Sequence, residues 1–160
     1  MMRFTNGSVI LISFIIAYIL MLLPMPKGMQ NFQPQFLLLV TLFWVIALPQ
    51  NVGIGISWVN GLFLDGLQGT LLGENALSFA ILAYILYKIQ HRFRLLSAVI
   101  QSVSIFFLVM LNQILLFWLQ GIQGQYVAWI WFFGSALTSA LLWPWISLVL
   151  TSCINYFRIQ

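Results

Sequence analysis

The chain has 160 residues, 62% of them hydrophobic and 5% charged, with a net charge of +4 and a mean hydropathy of +1.04. A soluble domain is about 45–50% apolar and about 25% charged, so six Lys/Arg, two Asp/Glu and one His cannot wet the outside of an 18.3 kDa globule. A water-soluble globule is excluded, a disordered chain is excluded with it, and a bilayer is left as the solvent.

A helix needs about 20 residues to cross a roughly 30 Å hydrocarbon core. The first apolar run covers residues 8–23 and ends at Pro24-Met25-Pro26. Arg3 ahead of it imitates a signal peptide, but no small-x-small cleavage site follows, which predicts an uncleaved span. The second run covers 32–48, the third 52–72, the fourth 76–89, the fifth 95–119 and the sixth 126–157. Two connections, Pro49-Gln50-Asn51 and Gly73-Glu74-Asn75, consist of turn formers. The last run would be roughly 48 Å long as a single helix, with Pro144 as its natural kink. Six spans of about 20 residues use about 120 positions, so residues 1–160 read as a single integral membrane domain. The expected fold is all-α, a polytopic bundle of six transmembrane helices. Five spans plus a re-entrant third segment is the alternative.

Lys and Arg stay on the cytoplasmic side of short loops. Six spans with the N-terminus inside place Arg3, Lys88, Arg92, Arg94 and Arg158 in the cytoplasm and only Lys27 outside. The five-span alternative scores equally, with Arg3 as its exception. Both agree on a cytoplasmic Lys88–Arg94 loop and C-terminus. Positive charge beside apolar runs points to an anionic membrane surface rather than to nucleic acid.

The third run carries small or polar residues at every fourth position: Gly53, Ser57, Gly61, Asp65, Gly69 and Gly73. On a helix this series traces an inclined ridge, which lets another helix approach closely. The neighbour is either a helix of the same bundle or one from a partner. Asp65 is the only acid inside a run and costs about 2.5–3.5 kcal/mol at mid-helix on the insertion scale. It should therefore face the protein interior, with Asn60, Gln68, Asn112 and Gln113 as candidate hydrogen-bond partners. His91 reads as part of a solvated turn over anionic lipid, since a lone His is a poor metal site. Glu74 reads as a hydrated turn residue. Gly134/Thr138, Ser135/Ser139 and Ala136/Ala140 form further small pairs suited to helix packing. Tyr126, Trp129 and Trp131 suit an outer aromatic belt. Cys153 is the single cysteine, which leaves neither a disulfide framework nor a Cys-based zinc site. No nucleophile has a base at a plausible spacing, and there is no phosphate loop or dinucleotide fingerprint. The expectation is a non-enzyme with no cofactor and no metal.

The stretch Gly61-Leu62-Phe63-Leu64-Asp65-Gly66-Leu67-Gln68-Gly69-Thr70-Leu71-Leu72-Gly73 resembles the glycine/aspartate signature of the MreD family of bacterial rod shape-determining membrane proteins. Phe32-Gln33-Pro34-Gln35-Phe36, the segment 44–52 and Leu142-Trp143-Pro144-Trp145 are similar to further stretches of that family. The resemblance implies a non-catalytic inner-membrane scaffold of the cell-elongation machinery. It also implies association with MreC, and through it with MreB, RodA and the elongation transpeptidase in lateral peptidoglycan synthesis. It further implies a likeness in fold to the substrate-binding subunits of energy-coupling-factor transporters. Gly61, Asp65, Gly69 and Gly73 are the residues it marks for partner binding or helix packing, with a groove for the MreC transmembrane helix as the sharper expectation. Homo-oligomerisation stays open. The competing class is a vitamin-type binding subunit of a transporter, in which Asp65, Asn60, Asn112 and Gln113 would line a pocket.

Overall fold

The computed structural model describes residues 2–124, 128 and 130–157. Six α-helices follow one another: α1 (Met2–Leu22), α2 (Phe36–Ala47), α3 (Ile54–Gln68), α4 (Glu74–Arg94), α5 (Ala98–Ile122) and α6 (Ile130–Phe157), with a 3-10 turn at Gln30–Phe32 before α2. No strand occurs among the described residues. Tyr126, Trp129 and Arg158, together with the Trp131 side chain, lie outside what is described.

Several boundaries differ from the apolar runs, each for a local reason. The second run begins at residue 32, but Pro34 holds its predecessor in an extended conformation, so α2 starts only at Phe36. Its end falls at Ala47, just before Leu48 and Pro49. At 12 residues α2 spans about 18 Å, and α3 at 15 residues about 22 Å. The fourth run continues as helix through the basic stretch to Arg94, so the expected Lys88–Arg94 loop is instead the last turns of α4. Cations are favoured at a helix C-terminus, where carbonyls point outward. Of the six helices, α5 and the Phe132–Phe157 part of α6 are long and apolar enough to cross a membrane, and Gly7–Leu22 is a shorter apolar helix.

Helix α2 is apolar around its whole circumference and forms the centre of the bundle. Residues Leu37 to Ile46 are all buried, as expected of a helix without a polar face. It packs against α1, α3, α4 and α6. Trp44, fully buried, donates its indole N–H to Ser13 Oγ at 2.8 Å, tying α2 to α1. Trp143 of α6 stacks edge-on with Phe93 of α4, ring centroids 6.1 Å apart.

Hydrogen bonds between helix ends fix the directions of the helices. Arg94, at the end of α4, donates from Nε to the carbonyl of Ile46, at the end of α2, at 2.8 Å, and from Nη2 to Ala47 at 3.0 Å. Gln123, just after α5, donates to the Glu74 carboxylate at the start of α4. Gln33 Nε2, just before α2, reaches the carbonyl of Met21 near the end of α1 at 2.9 Å. Successive helices therefore alternate in direction. The ends of α2 and α4 and the start of α5 lie at one pole, and the α3–α4 turn at the other.

The small pairs of α6 seat the entry to α2. Ser135 Oγ donates to the Gln33 carbonyl and Thr138 Oγ1 to the Phe32 carbonyl, both at 2.9 Å, while Ser139 Oγ accepts from the Gln35 N–H at 3.1 Å. A Cβ on Gly134 would lie 2.8 Å from the Phe32 ring. These small residues pack within the chain.

The distribution of polarity is inverted relative to a soluble protein. Asp65, Asn112, Thr41, Ser57, Ser78 and Ser139 are completely buried. Leu11, Ile15 and Ile19 on α1, and Val99, Val103 and Phe107 on α5, are exposed at helical spacing. Most of these polar groups are hydrogen-bonded inside, to side chains or to helix carbonyls, with Gln90 Oε1 the buried exception among the described residues, and the outer faces are aliphatic and aromatic.

Candidate functional site at the α3–α4 joint

The most polar interior point is the turn joining α3 to α4, and Asp65 organises it. Helix α3 stops at Gln68 because Gly69 takes a left-handed conformation, φ +68°, which an L side chain rarely adopts. The Asp65 carbonyl accepts from the N–H of Gly69 and of Thr70, which closes the helix end. Gly73, φ +111°, then turns the chain into α4.

Helix α4 has no side-chain cap of its own, because Gly73 occupies the capping position. Its free N–H groups are satisfied from across the turn. One carboxylate oxygen of Asp65 accepts from Gly73 N at 2.9 Å and Ala76 N at 3.4 Å. The other accepts from Asn75 N at 3.1 Å, Asn75 Nδ2 at 2.8 Å and Thr70 Oγ1 at 2.9 Å. Glu74 N completes the set by donating to the Leu71 carbonyl. A carboxylate thus sits at the positive end of the α4 dipole, where anions are favoured. With five donors on its two oxygens, its accepting capacity is largely used.

Gly61 makes this geometry possible. A Cβ there would lie 2.4 Å from Ala76 Cα, 2.5 Å from Ala76 N and 2.6 Å from the Asn75 carbonyl carbon. All three are backbone atoms and none can swing aside. The α3 backbone therefore lies directly on the first turn of α4.

The four residues marked by the family resemblance, Gly61, Asp65, Gly69 and Gly73, converge on this one joint, but in three roles. Gly61 allows close approach, Asp65 caps, and Gly69 and Gly73 supply left-handed backbone. Gly53 and Ser57 belong to the start of α3, where Ser57 Oγ bonds the Gly53 carbonyl at 3.0 Å. None of the four amides expected to serve Asp65 bonds it: Gln68 is exposed, Gln113 is buried on α5, and Asn60 and Asn112 bond elsewhere. Asn60 bridges Tyr18 of α1 and Thr41 of α2. Asn112 takes the hydroxyl hydrogen of Ser78 and donates to Gln35 Oε1 at 3.0 Å, linking α5, α4 and the α2 entry. The real partners, Thr70 and Asn75, lie in the turn. The signal for them is an interior acid followed closely by a helix that starts without a Ser, Thr or Asp cap. Glu74 is buried rather than hydrated. His91 is exposed on the last turns of α4. Among the described residues no three of His, Cys, Asp and Glu come together.

Exposed apolar faces around a hydrogen-bonded polar interior define a helical protein of the membrane-associated class. The chain belongs to the MreD family: residues 2–153 match the family model described as rod shape-determining protein MreD. It is 37% identical over 142 residues to the rod shape-determining protein MreD of Haemophilus influenzae (strain ATCC 51907 / DSM 11121 / KW20 / Rd), covering 88% of this chain and 87% of that relative. No solved structure matches it.

Proposed function

We propose that the chain is a non-catalytic, multi-pass scaffold of the bacterial inner membrane that maintains rod shape by holding MreC and helping to organise lateral peptidoglycan synthesis with MreB, RodA and the elongation transpeptidase. Family membership supports the rod-shape role, and the apolar outside around a polar inside is the observation that carries the scaffold reading. In this reading all six helices cross the bilayer, in an arrangement similar to the substrate-binding subunits of energy-coupling-factor transporters. The short α2 and α3 are accommodated because α2 is sheathed by its neighbours rather than by lipid. The pole carrying Lys88, Arg92 and Arg94 faces the cytoplasm, together with both termini.

Within this scaffold Gly61, Asp65, Gly69 and Gly73 serve helix packing: they hold α3 on α4 in fixed register. The partner helix then meets the opposite face of α3, where Gly55, Val59, Phe63 and Gly66 are exposed on one stripe and a Cβ on either glycine would meet nothing within 4 Å. Small residues beside an apolar side chain suit close helix association in lipid. The deciding experiment compares Gly66→Leu with Gly61→Leu for MreC co-purification, membrane abundance and rescue of rod shape in a deletion strain. Gly66→Leu should keep abundance and lose both MreC and rescue; Gly61→Leu should lose abundance. Normal co-purification and normal shape with Gly66→Leu would reject the docking face. A transport role draws no comparable support, because Asp65, Asn60 and Asn112 are bonded to neighbouring helices rather than turned toward a ligand.

A further inference from the structure

The pole opposite the α3–α4 joint contains a cavity of about 340 Å³ between the ends of α2 and α4 and the side of α6. Phe43, Phe93 and Trp143 form its walls, and Arg94, Gln101, Ser147 and Thr151 stand on its polar side. The Arg94 guanidinium is held in place by the Ile46 and Ala47 carbonyls, which engage Nε and Nη2. Nη1 has no partner among the described residues, nor has the Thr151 hydroxyl. Both acids of the chain, Asp65 and Glu74, lie at the other pole. The cavity therefore has fixed donors and positive charge, and no Asp or Glu among the described residues lines it to repel an anion, with Lys88 and Arg92 on the same stretch of α4. Its remaining wall is aromatic and aliphatic, which suits a ligand that is ionic at one end and apolar along its length. Basic pockets between membrane helices on the cytoplasmic side bind lipid head groups by this combination.

We infer that this cavity binds an anionic phospholipid of the cytoplasmic leaflet. The phosphate accepts hydrogen bonds from Arg94 Nη1 and Thr151 Oγ1, and the glycerol and upper acyl chain lie along Phe43 and Trp143. A guanidinium matches phosphate geometrically as well as electrostatically. The fixed position of Arg94 reduces the entropy lost on binding. The inference rests on the cytoplasmic placement of this pole.

The test uses the full chain purified in neutral detergent. Retained lipid is counted by native mass spectrometry, and melting temperature is followed on titration with phosphatidylglycerol, phosphatidylcholine or inorganic phosphate. Phosphatidylglycerol should be retained and should raise the melting temperature, while phosphatidylcholine and inorganic phosphate should do neither. Arg94→Gln should weaken phosphatidylglycerol binding about tenfold, the scale of one charge-assisted hydrogen bond. Because Arg94 also holds the end of α2, Thr151→Leu provides the second variant. It fills the cavity, leaves α2 untouched and should weaken binding similarly. Arg92→Gln removes the same charge two residues away and should leave binding intact. Equal retention of both lipids by the wild type, or equal loss in the Arg92 and Arg94 variants, would overturn the site. Inorganic phosphate reproducing the full effect would overturn the lipid as its occupant. These measurements need no MreC, so their failure is separable from failure of the scaffold reading, which shows in cell shape.

Discussion

Asp65 shows how a membrane protein keeps an acid inside at acceptable cost. Removing the carboxylate orphans buried donors, each worth about 1–3 kcal/mol when left unsatisfied. Asp65→Ala should therefore destabilise the protein by several such increments. Asp65→Asn retains one acceptor oxygen but turns an NH₂ group toward donors, and should fall between Ala and wild type. Thermal unfolding in detergent measures the order, and an Asn variant as damaged as Ala would show that charge rather than hydrogen bonding dominates. The glycines of the joint should differ by mechanism. Gly69→Ala must adopt a left-handed backbone at a cost of about 1–2 kcal/mol, with free space around its new methyl. Gly61→Ala places that methyl inside backbone atoms and should exceed the usual overpacking cost of about 1–3 kcal/mol. Gly61→Ala should therefore melt lower than Gly69→Ala, although both remove a glycine from the same motif.

Among the elements, legibility in the sequence follows how local each cause is. The six helices and the stops at Pro24 and Pro49 come from composition and backbone chemistry, and both can be read without tertiary knowledge. The brevity of α2 cannot, because Phe32 opens the apolar run yet sits in the 3-10 turn, and residues 33–35 are kept out of the helix by Pro34 and by docking on Ser135 and Ser139. Extension of α4 to Arg94 is equally hidden, since a charged stretch reads as a loop until α2's open carbonyls are there to receive it. The every-fourth spacing misleads in an instructive way. It describes a ridge only while the helix lasts, and α3 ends at Gln68, so Gly69 and Gly73 leave the ridge and become turn residues. Asn112 is the clearest link between elements, and its loss gives a prediction at this scale. Hydrogen bonds between membrane helices average about 0.6 kcal/mol and reach about 1.7, because the unfolded helices find other partners in lipid. Asn112→Leu, which frees Ser78 and Gln35, should cost about 1–2 kcal/mol on that scale. A loss much beyond this in reversible unfolding would mean that the three groups act as a cooperative network.

For the whole molecule, the contact between Arg94 and Ile46 bears on the topology that charge counting leaves open. A re-entrant α3 would return the chain to the face it left, so the ends of α2 and α4 would lie on opposite sides of the membrane. In the proposed arrangement of six alternating crossings both ends lie on the same side, where this hydrogen bond forms. The consequence can be checked in cells with single-cysteine variants on a Cys153→Ser background and a membrane-impermeant maleimide. Six crossings make Lys27→Cys and Leu72→Cys reactive from the periplasm, whereas Asn51→Cys and Arg92→Cys react only after the inner membrane is opened. Five crossings with a re-entrant α3 reverse the first and third of these and leave the other two unchanged. Lys27 and Asn51 are therefore the informative pair, and Leu72 and Arg92 serve as controls for labelling efficiency. Labelling of Asn51→Cys in intact spheroplasts, with Lys27→Cys protected, would invert the first half of the bundle. It would also break the Arg94–Ile46 contact that closes the lipid cavity.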